Sequence, residues 1–232
     1  MPRRARISIP GVPWHIIQRG NNRSDCFYAD KDYKFYLYHL KELSEKFCCD
    51  VHSYVLMTNH VHLLLTPKEE DSAAKLMKNL GQRYVQYINR TYKRSGTLWE
   101  GRFRSCLTQS DEYVMACYRY IELNPVKANM VNHPRDYRWS SYKANAEGKK
   151  NDLITPHNQY LQMDHRILER RKAYRGLFKT HVNQPFDDEI RSATNGNFVL
   201  GSKKFQDEIE SKLGRRVVRG KAGRPKKDEP GK

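Results

Sequence analysis

Cysteine is scarce and poorly placed for cross-linking. Five occur in 232 residues, Cys26, Cys48, Cys49, Cys106 and Cys117, and no two form a C-x-x-C pair. An odd number without that spacing argues against a disulfide framework or a thiolate zinc site, so reduced thiols in packing roles are expected. No apolar run reaches the roughly 18 residues a membrane helix needs. Met1 to Pro10 is basic but lacks the apolar segment of a secretory signal. These absences predict a soluble, cytoplasmic protein with no membrane partner. Internal repeats are missing too. Acidic residues are the minority, 26 Asp and Glu against 43 Lys and Arg, for a net charge of +17. Such a surface draws polyanions in by its long-range field, and nucleic acid is the expected partner. The 38% hydrophobic content supports one sizeable core plus an appendage.

The chain reads as alternating strands and helices. Trp14 to Arg19 alternates as a strand and stops at Gly20-Asn21-Asn22. From Lys31 to Phe47, Tyr33, Tyr36, Leu37, Leu40, Leu43 and Phe47 recur at helical spacing, with Asp30 as the expected N-cap. Val51 to Met57 and His60 to Thr66 are β-rich runs joined at Thr58-Asn59, predicting neighbouring antiparallel strands. A second long helix is expected from Asp71 to Tyr92, then a strand from Arg102 to Thr108. A third helix is expected from Asp111 to Leu123, capped by Ser110 or Asp111 and ended by Asn124-Pro125, because the residue before proline avoids the α region. The order β, α, β, β, α, β predicts an α+β fold: a ferredoxin-like, split βαβ antiparallel sheet with helices on one face. Residues 1–147 are expected to form the main domain. Residues 148–213 should form a small, mainly helical extension, and the basic, Gly- and Pro-rich segment 214–232 a disordered tail.

The period of a strand puts His60 and His62 on one face and Val61, Leu63 and Leu65 on the other. Two neutral imidazoles on one side can share a divalent cation, although such a pair is also common in purely structural roles. Tyr120 and Asn124 stand four apart, one above the other on a helix. An Asn124 amide oxygen would complete a His, His and Asn set suited to Mg²⁺ or Mn²⁺, with Tyr120 beside it. The same residues also fit an ordinary amphipathic helix that stops before Pro125.

Met57-Thr58-Asn59-His60-Val61-His62-Leu63-Leu64-Leu65 and Arg119-Tyr120-Ile121-Glu122-Leu123-Asn124-Pro125-Val126-Lys127-Ala128 together resemble the single-tyrosine transposases of the HUH superfamily. The closest likeness is to the REP-associated tyrosine transposases, relatives of the insertion-sequence 200/605 enzymes. Supporting strings are His15 to Arg23, Arg94 to Phe103 and Trp139-Ser140-Ser141-Tyr142, so the resemblance covers roughly residues 5 to 145. It implies a ferredoxin-like catalytic core in which His60, His62 and Asn124 hold the metal. Tyr120 would be the nucleophile, leaving a 5′-phosphotyrosine and a free 3′-hydroxyl. A phenol ionises near pH 10, and the sequence names no base to help it.

The implied substrate is single-stranded or hairpin DNA with a flanking guide sequence, and the implied assembly is a monomer or a homodimer. Arg83, Arg90, Arg94, Arg102 and Arg104 are interleaved with Tyr84, Tyr87, Tyr92, Trp99 and Phe103, a mixture that suits phosphate contacts and base stacking. Those aromatics also fit a buried face, so stacking is assigned to a minority. Arg19, Asn21 and Arg23 are expected DNA contacts near the first strand's end. In the tail, Gly223-Arg224-Pro225 resembles an AT-hook core, but Lys226 and Lys227 replace the second Gly-Arg, which leaves non-specific phosphate attraction for Arg224, Lys226 and Lys227. The alternative function is a non-catalytic regulator that binds hairpin DNA or RNA.

Overall fold

The structure is a computed structural model that describes residues 6–110, 112–179 and 185–220. The elements, in order, are β1 (Trp14–Arg19), α1 (Asp30–Lys46), β2 (Cys49–Leu56), β3 (His60–Pro67), α2 (Ser72–Thr91), β4 (Arg104–Thr108) and α3 (Glu112–Lys127). Then come α4 (Tyr142–Glu147), α5 (Asn158–Leu161), α6 (Ile167–Gly176), α7 (Pro185–Gly196), β5 (Val199–Leu200) and α8 (Lys203–Leu213). The expected capping residue Asp111 and the tail residues Arg224, Lys226 and Lys227 lie outside the described residues.

The sheet order is β2-β3-β1-β4-β5. The first four strands pair antiparallel, and β5 adds to β4 in parallel. This is the expected ferredoxin-like arrangement: β1 and β2 flank β3, while β3 and β4 flank β1. Each connecting helix therefore crosses one intervening strand. Right-handed crossovers place α1 and α2 on the same face. There Leu40, Leu43, Leu76, Leu80 and Tyr84 bury against Ile16, Val61, Leu63 and Leu65.

At the start of α1, Asp32 and not Asp30 does the capping. Its Oδ2 accepts from the Tyr28 and Ala29 backbone N–H groups, and its carboxylate also accepts from the Tyr87 and Tyr92 hydroxyls. A carboxylate one turn inside the helix reaches back to the free amides and ties α1 to α2.

The opposite face of the sheet is also covered. Val55, Leu64 and Cys106 pack there against Val114, Cys117, Tyr118 and Ile121 of α3, with Tyr174, Ile190 and Leu200 completing the layer. A register shift in β2 between Val51 and Ser53 makes this possible. The extra residue reverses the facing of the strand, so Ser53 and Val55 turn toward α3 while Tyr54 and Leu56 stay in the first core.

Contrary to the sequence reading, α3 does not end at Asn124; it runs through Pro125 to Lys127. Proline has no N–H for the carbonyl of Ile121. The Asn124 side chain compensates, its Nδ2 donating to Tyr120 O at 2.8 Å and to Ile121 O at 3.4 Å. Helix α3 is also fixed by a buried carboxylate. Glu122 accepts from Ser141 (2.6 Å), Asn145 (2.8 Å) and Tyr174 (2.7 Å), from α4 with its preceding residue and from α6. Burial raises the Glu122 pKa to about 7, against the lowering effect of those donors.

The extension is packed into this frame. Asn197 Oδ1 accepts from Ser105 N on β4 at 3.0 Å, and α7 lies against β4. Ser202 caps α8, its hydroxyl accepting from Phe205 N. All five cysteines are free.

Candidate active site

Register builds the site floor. On β1 and β3 Arg19 pairs with His60, Ile17 with His62 and His15 with Leu64, so all six side chains share the face toward α3. Across that floor α3 presents Tyr120 and Asn124. The Tyr120 ring stands edge-on to His15 and to His62, each at a centroid separation of 5.6 Å. The His60 and His62 rings are 5.1 Å apart. A cavity of about 470 Å³ opens over this group, lined by His15, Arg19, Arg23, Asn59, His60, His62, Tyr120, Asn124, Arg191, Thr194 and Asn195.

His60 and His62 each have one nitrogen engaged. His60 Nδ1 meets Asn59 Oδ1 at 2.6 Å, while Asn59 Nδ2 donates to Arg23 O. His62 Nδ1 meets His15 Nε2 at 2.8 Å. Burial pulls the His60 pKa down to about 4, with the Arg19 charge adding to it, and holds His62 well below its ordinary value, aided by the neighbouring His15. Both imidazoles are therefore neutral at pH 7, the state a metal ligand requires. With Asn124 Nδ2 held by backbone carbonyls, Oδ1 is the amide atom left to coordinate. Among the described residues no group of three or more His, Cys, Asp or Glu can hold a metal ion. A divalent cation here would take two imidazole nitrogens and one amide oxygen, a donor set that leaves positions for phosphate oxygens.

The surroundings of Tyr120 come from residues the sequence reading did not select. Lys127 Nζ lies 4.7 Å from the centre of its ring and pairs with Asp187 at 2.5 Å. Burial raises the Tyr120 pKa, and Arg191 opposes that by charge and by a side-chain hydrogen bond. Lys127 stands seven residues after Tyr120, two turns along the same helical face, and was hidden only by reading Pro125 as a stop. Arg191, Thr194 and Asn195 arrive from α7, and no local pattern announces them.

Six of the selected residues share this cavity: His60, His62, Tyr120, Asn124, Arg19 and Arg23. Gly20 shapes the turn beside it, since a Cβ there would lie 2.1 Å from Ser24 O. Asn22 and Arg23 follow with left-handed φ values of 51° and 59°, and Asn21 is exposed in the same turn. Arg102 and Arg104 border an adjoining depression with Arg19 and Asn195, and Arg104 donates to Asn195 Oδ1 at 2.9 Å. Arg83, on the far side of the sheet, pairs with Glu42 at 2.8 Å. Arg90 is exposed on α2, and Arg94 donates to the Tyr28 hydroxyl.

Tyr84 takes the buried face that its spacing allowed, and Trp99 and Phe103 are buried with it in the first core, so none of the three is free to stack on a base. Tyr87 stacks instead on Phe35, with ring centres 3.9 Å apart. Tyr84 and Tyr87 recur at helical spacing because α2 packs them toward α1 and the sheet, while Trp99 and Phe103 are buried from the segment between α2 and β4.

Among the described residues no helix is long and apolar enough to cross a membrane. No curated protein matches the chain significantly. The family model "Transposase IS200 like" matches residues 8–124. A solved REP-associated tyrosine transposase bound to a REP hairpin is similar at TM-score 0.55 and 17% identity, covering 68% of this chain and 93% of its own. A putative transposase from Deinococcus radiodurans aligns at TM-score 0.37 and 20% identity, over 52% of this chain and 96% of its own.

Proposed function

From a chain that belongs to the IS200-like transposases, we propose a metal-dependent endonuclease and strand-transferase that acts on hairpin-forming single-stranded DNA through Tyr120. The observation that carries this reading is the convergence of His60, His62, Asn124 and Tyr120 on one cavity rimmed by Arg19, Arg23 and Arg191. The hairpin bound by the solved REP-associated transposase supports the same substrate class here. A divalent cation, when bound, would polarise a phosphoryl oxygen and neutralise the charge that develops on it.

His60 and His62 would hold that cation through Nε2, and Asn124 through Oδ1. The arginines draw the DNA backbone in and orient the scissile phosphate. Tyr120 Oη loses its proton and forms a bond to phosphorus, while the bond from phosphorus to the 3′ oxygen breaks. That oxygen takes up a proton and leaves as a 3′-hydroxyl. The 5′ phosphate stays esterified to Tyr120. Attack by a 3′-hydroxyl reverses the step and rejoins DNA without ATP. Arg191 lowers the cost of the phenolate by its charge and by a side-chain hydrogen bond to Tyr120. That is the help the sequence alone did not reveal.

Incubation of the protein with Mn²⁺ and a single-stranded hairpin oligonucleotide should give a covalent adduct that resists denaturation. Tyr120→Phe should give none, and EDTA should prevent it in the wild type. An adduct of equal yield from Tyr120→Phe would end the reading. Binding that persists in EDTA, with no adduct under any condition, would favour a non-catalytic binder.

A further inference from the structure

A directed hydrogen-bond chain runs from the backbone of α7 to the floor of the cavity. Thr194 Oγ1 lies 2.7 Å from Ile190 O, 2.8 Å from His15 Nδ1 and 3.2 Å from Cys106 Sγ. His15 Nε2 lies 2.8 Å from His62 Nδ1. A carbonyl only accepts, so the one hydroxyl proton of Thr194 points to Ile190 O. Thr194 Oγ1 is then an acceptor for its remaining neighbours, and His15 Nδ1 must carry a proton. His15 is 1% exposed, with no carboxylate on either nitrogen, and a buried imidazole in such a place is neutral. One N–H is thus all it has, and Nε2 accepts. His62 Nδ1 must therefore donate, leaving the His62 Nε2 lone pair unprotonated.

We infer that Thr194, through His15, fixes the tautomer and orientation of His62, so that α7 of the extension sets the metal affinity of the catalytic floor. Thr194 and His15 act as positioning residues; neither touches the cation. Their role rests on the reading of His62 as a ligand. Supporting a ligating imidazole through its other nitrogen is worth roughly 10- to 100-fold in metal affinity where it has been removed. Stacking strengthens the hold, since the His15 and His62 rings lie 5.0 Å apart with an interplanar angle of 8°. The relay spans 179 residues between His15 and Thr194, which makes metal binding depend on a segment outside the matched family region.

Two measurements on the full chain test it. In the metal-free wild type, long-range ¹H–¹⁵N correlation of the histidine rings should show His62 protonated at Nδ1 and bare at Nε2. A His62 protonated at Nε2 overturns the relay. Titration with Mn²⁺, read by electron paramagnetic resonance without DNA, should show affinity lower by about tenfold or more in Thr194→Val. Thr194→Ser, which keeps the hydroxyl, should retain most of the wild-type affinity. Equal affinity in Thr194→Val and wild type also overturns it. If the wild type binds no Mn²⁺, the metal reading falls, and the ring correlation of His62 still decides the relay.

Discussion

At the residue scale, the four side chains proposed for the chemistry are reached through the motifs that resemble the single-tyrosine transposases, since spacing alone leaves each pair open to a structural role. His60 and His62 are two apart on a strand; Tyr120 and Asn124 are four apart on a helix. The partners that tune them were not visible. His15 meets Thr194 across 179 residues, and Arg191 reaches Tyr120 from another helix. No spacing rule spans such distances.

Asn124 carries a structural duty as well, since its Nδ2 donates to Tyr120 O and, more distantly, to the Ile121 O that Pro125 cannot serve. Asn124→Ala should cost about 1 kcal/mol of stability, from the loss of the bond to Tyr120 O, and should weaken Mn²⁺ binding besides. Denaturant unfolding and metal titration on the same variant separate the two effects. An unchanged midpoint would remove the structural duty.

Glu122 gives a pH signature. Its folded-state pKa is raised from 4.5 to about 7, so its contribution favours the fold below about pH 4.5 and is lost as pH rises through 7. The full swing is roughly 3 kcal/mol, since each tenfold change in proton affinity is worth about 1.4 kcal/mol. Glu122→Gln can keep the Ser141 and Asn145 bonds through its carbonyl. The stability difference between variant and wild type should therefore move in favour of the variant between about pH 5 and 8. A difference flat with pH contradicts the raised pKa.

At the scale of elements, strands and helices followed from periodicity because each has one buried face. The failures share a cause. Pro125 has the local signature of a helix end, and only the Asn124 side chain and the packing of α3 override it. The aromatics from Tyr84 to Phe103 had the composition of a stacking platform, yet helical periodicity buries Tyr84 on α2, and the segment after α2 folds Trp99 and Phe103 into the same core. Strand β5 is two residues long, too short for any alternation, and stands only because β4 offers an edge. Ile190 anchors α7 with no exposed surface. Ile190→Ala should destabilise the protein by about 2–5 kcal/mol and reduce adduct yield, because Arg191 and Thr194 ride on the same helix. Loss of stability with full adduct yield, assayed where the variant is folded, would show that α7 is not part of the site.

At the scale of the whole molecule, net charge of +17 gave the class of partner but not its position. The structure concentrates Arg19, Arg23 and Arg191 around the cavity, while Arg83 is held by Glu42 on the other side of the sheet. Hairpin binding should weaken steeply with salt, since each neutralised phosphate releases condensed counterions. Fluorescence anisotropy between 50 and 200 mM KCl, about the range over which such complexes lose affinity, should show at least a tenfold fall. Salt-insensitive binding would deny the phosphate contacts. The extension completes this picture by supplying one wall of the cavity, so the proposed division into a main domain of residues 1–147 and an extension of residues 148–213 separates segments of sequence that share one site. The most direct measurement of the chemistry is mass-spectrometric mapping of the protein after reaction with Mn²⁺ and a hairpin oligonucleotide. A 5′-linked deoxynucleotide on Tyr120 is the expected result, and the same modification on any other residue, with Tyr120 bare, would contradict it.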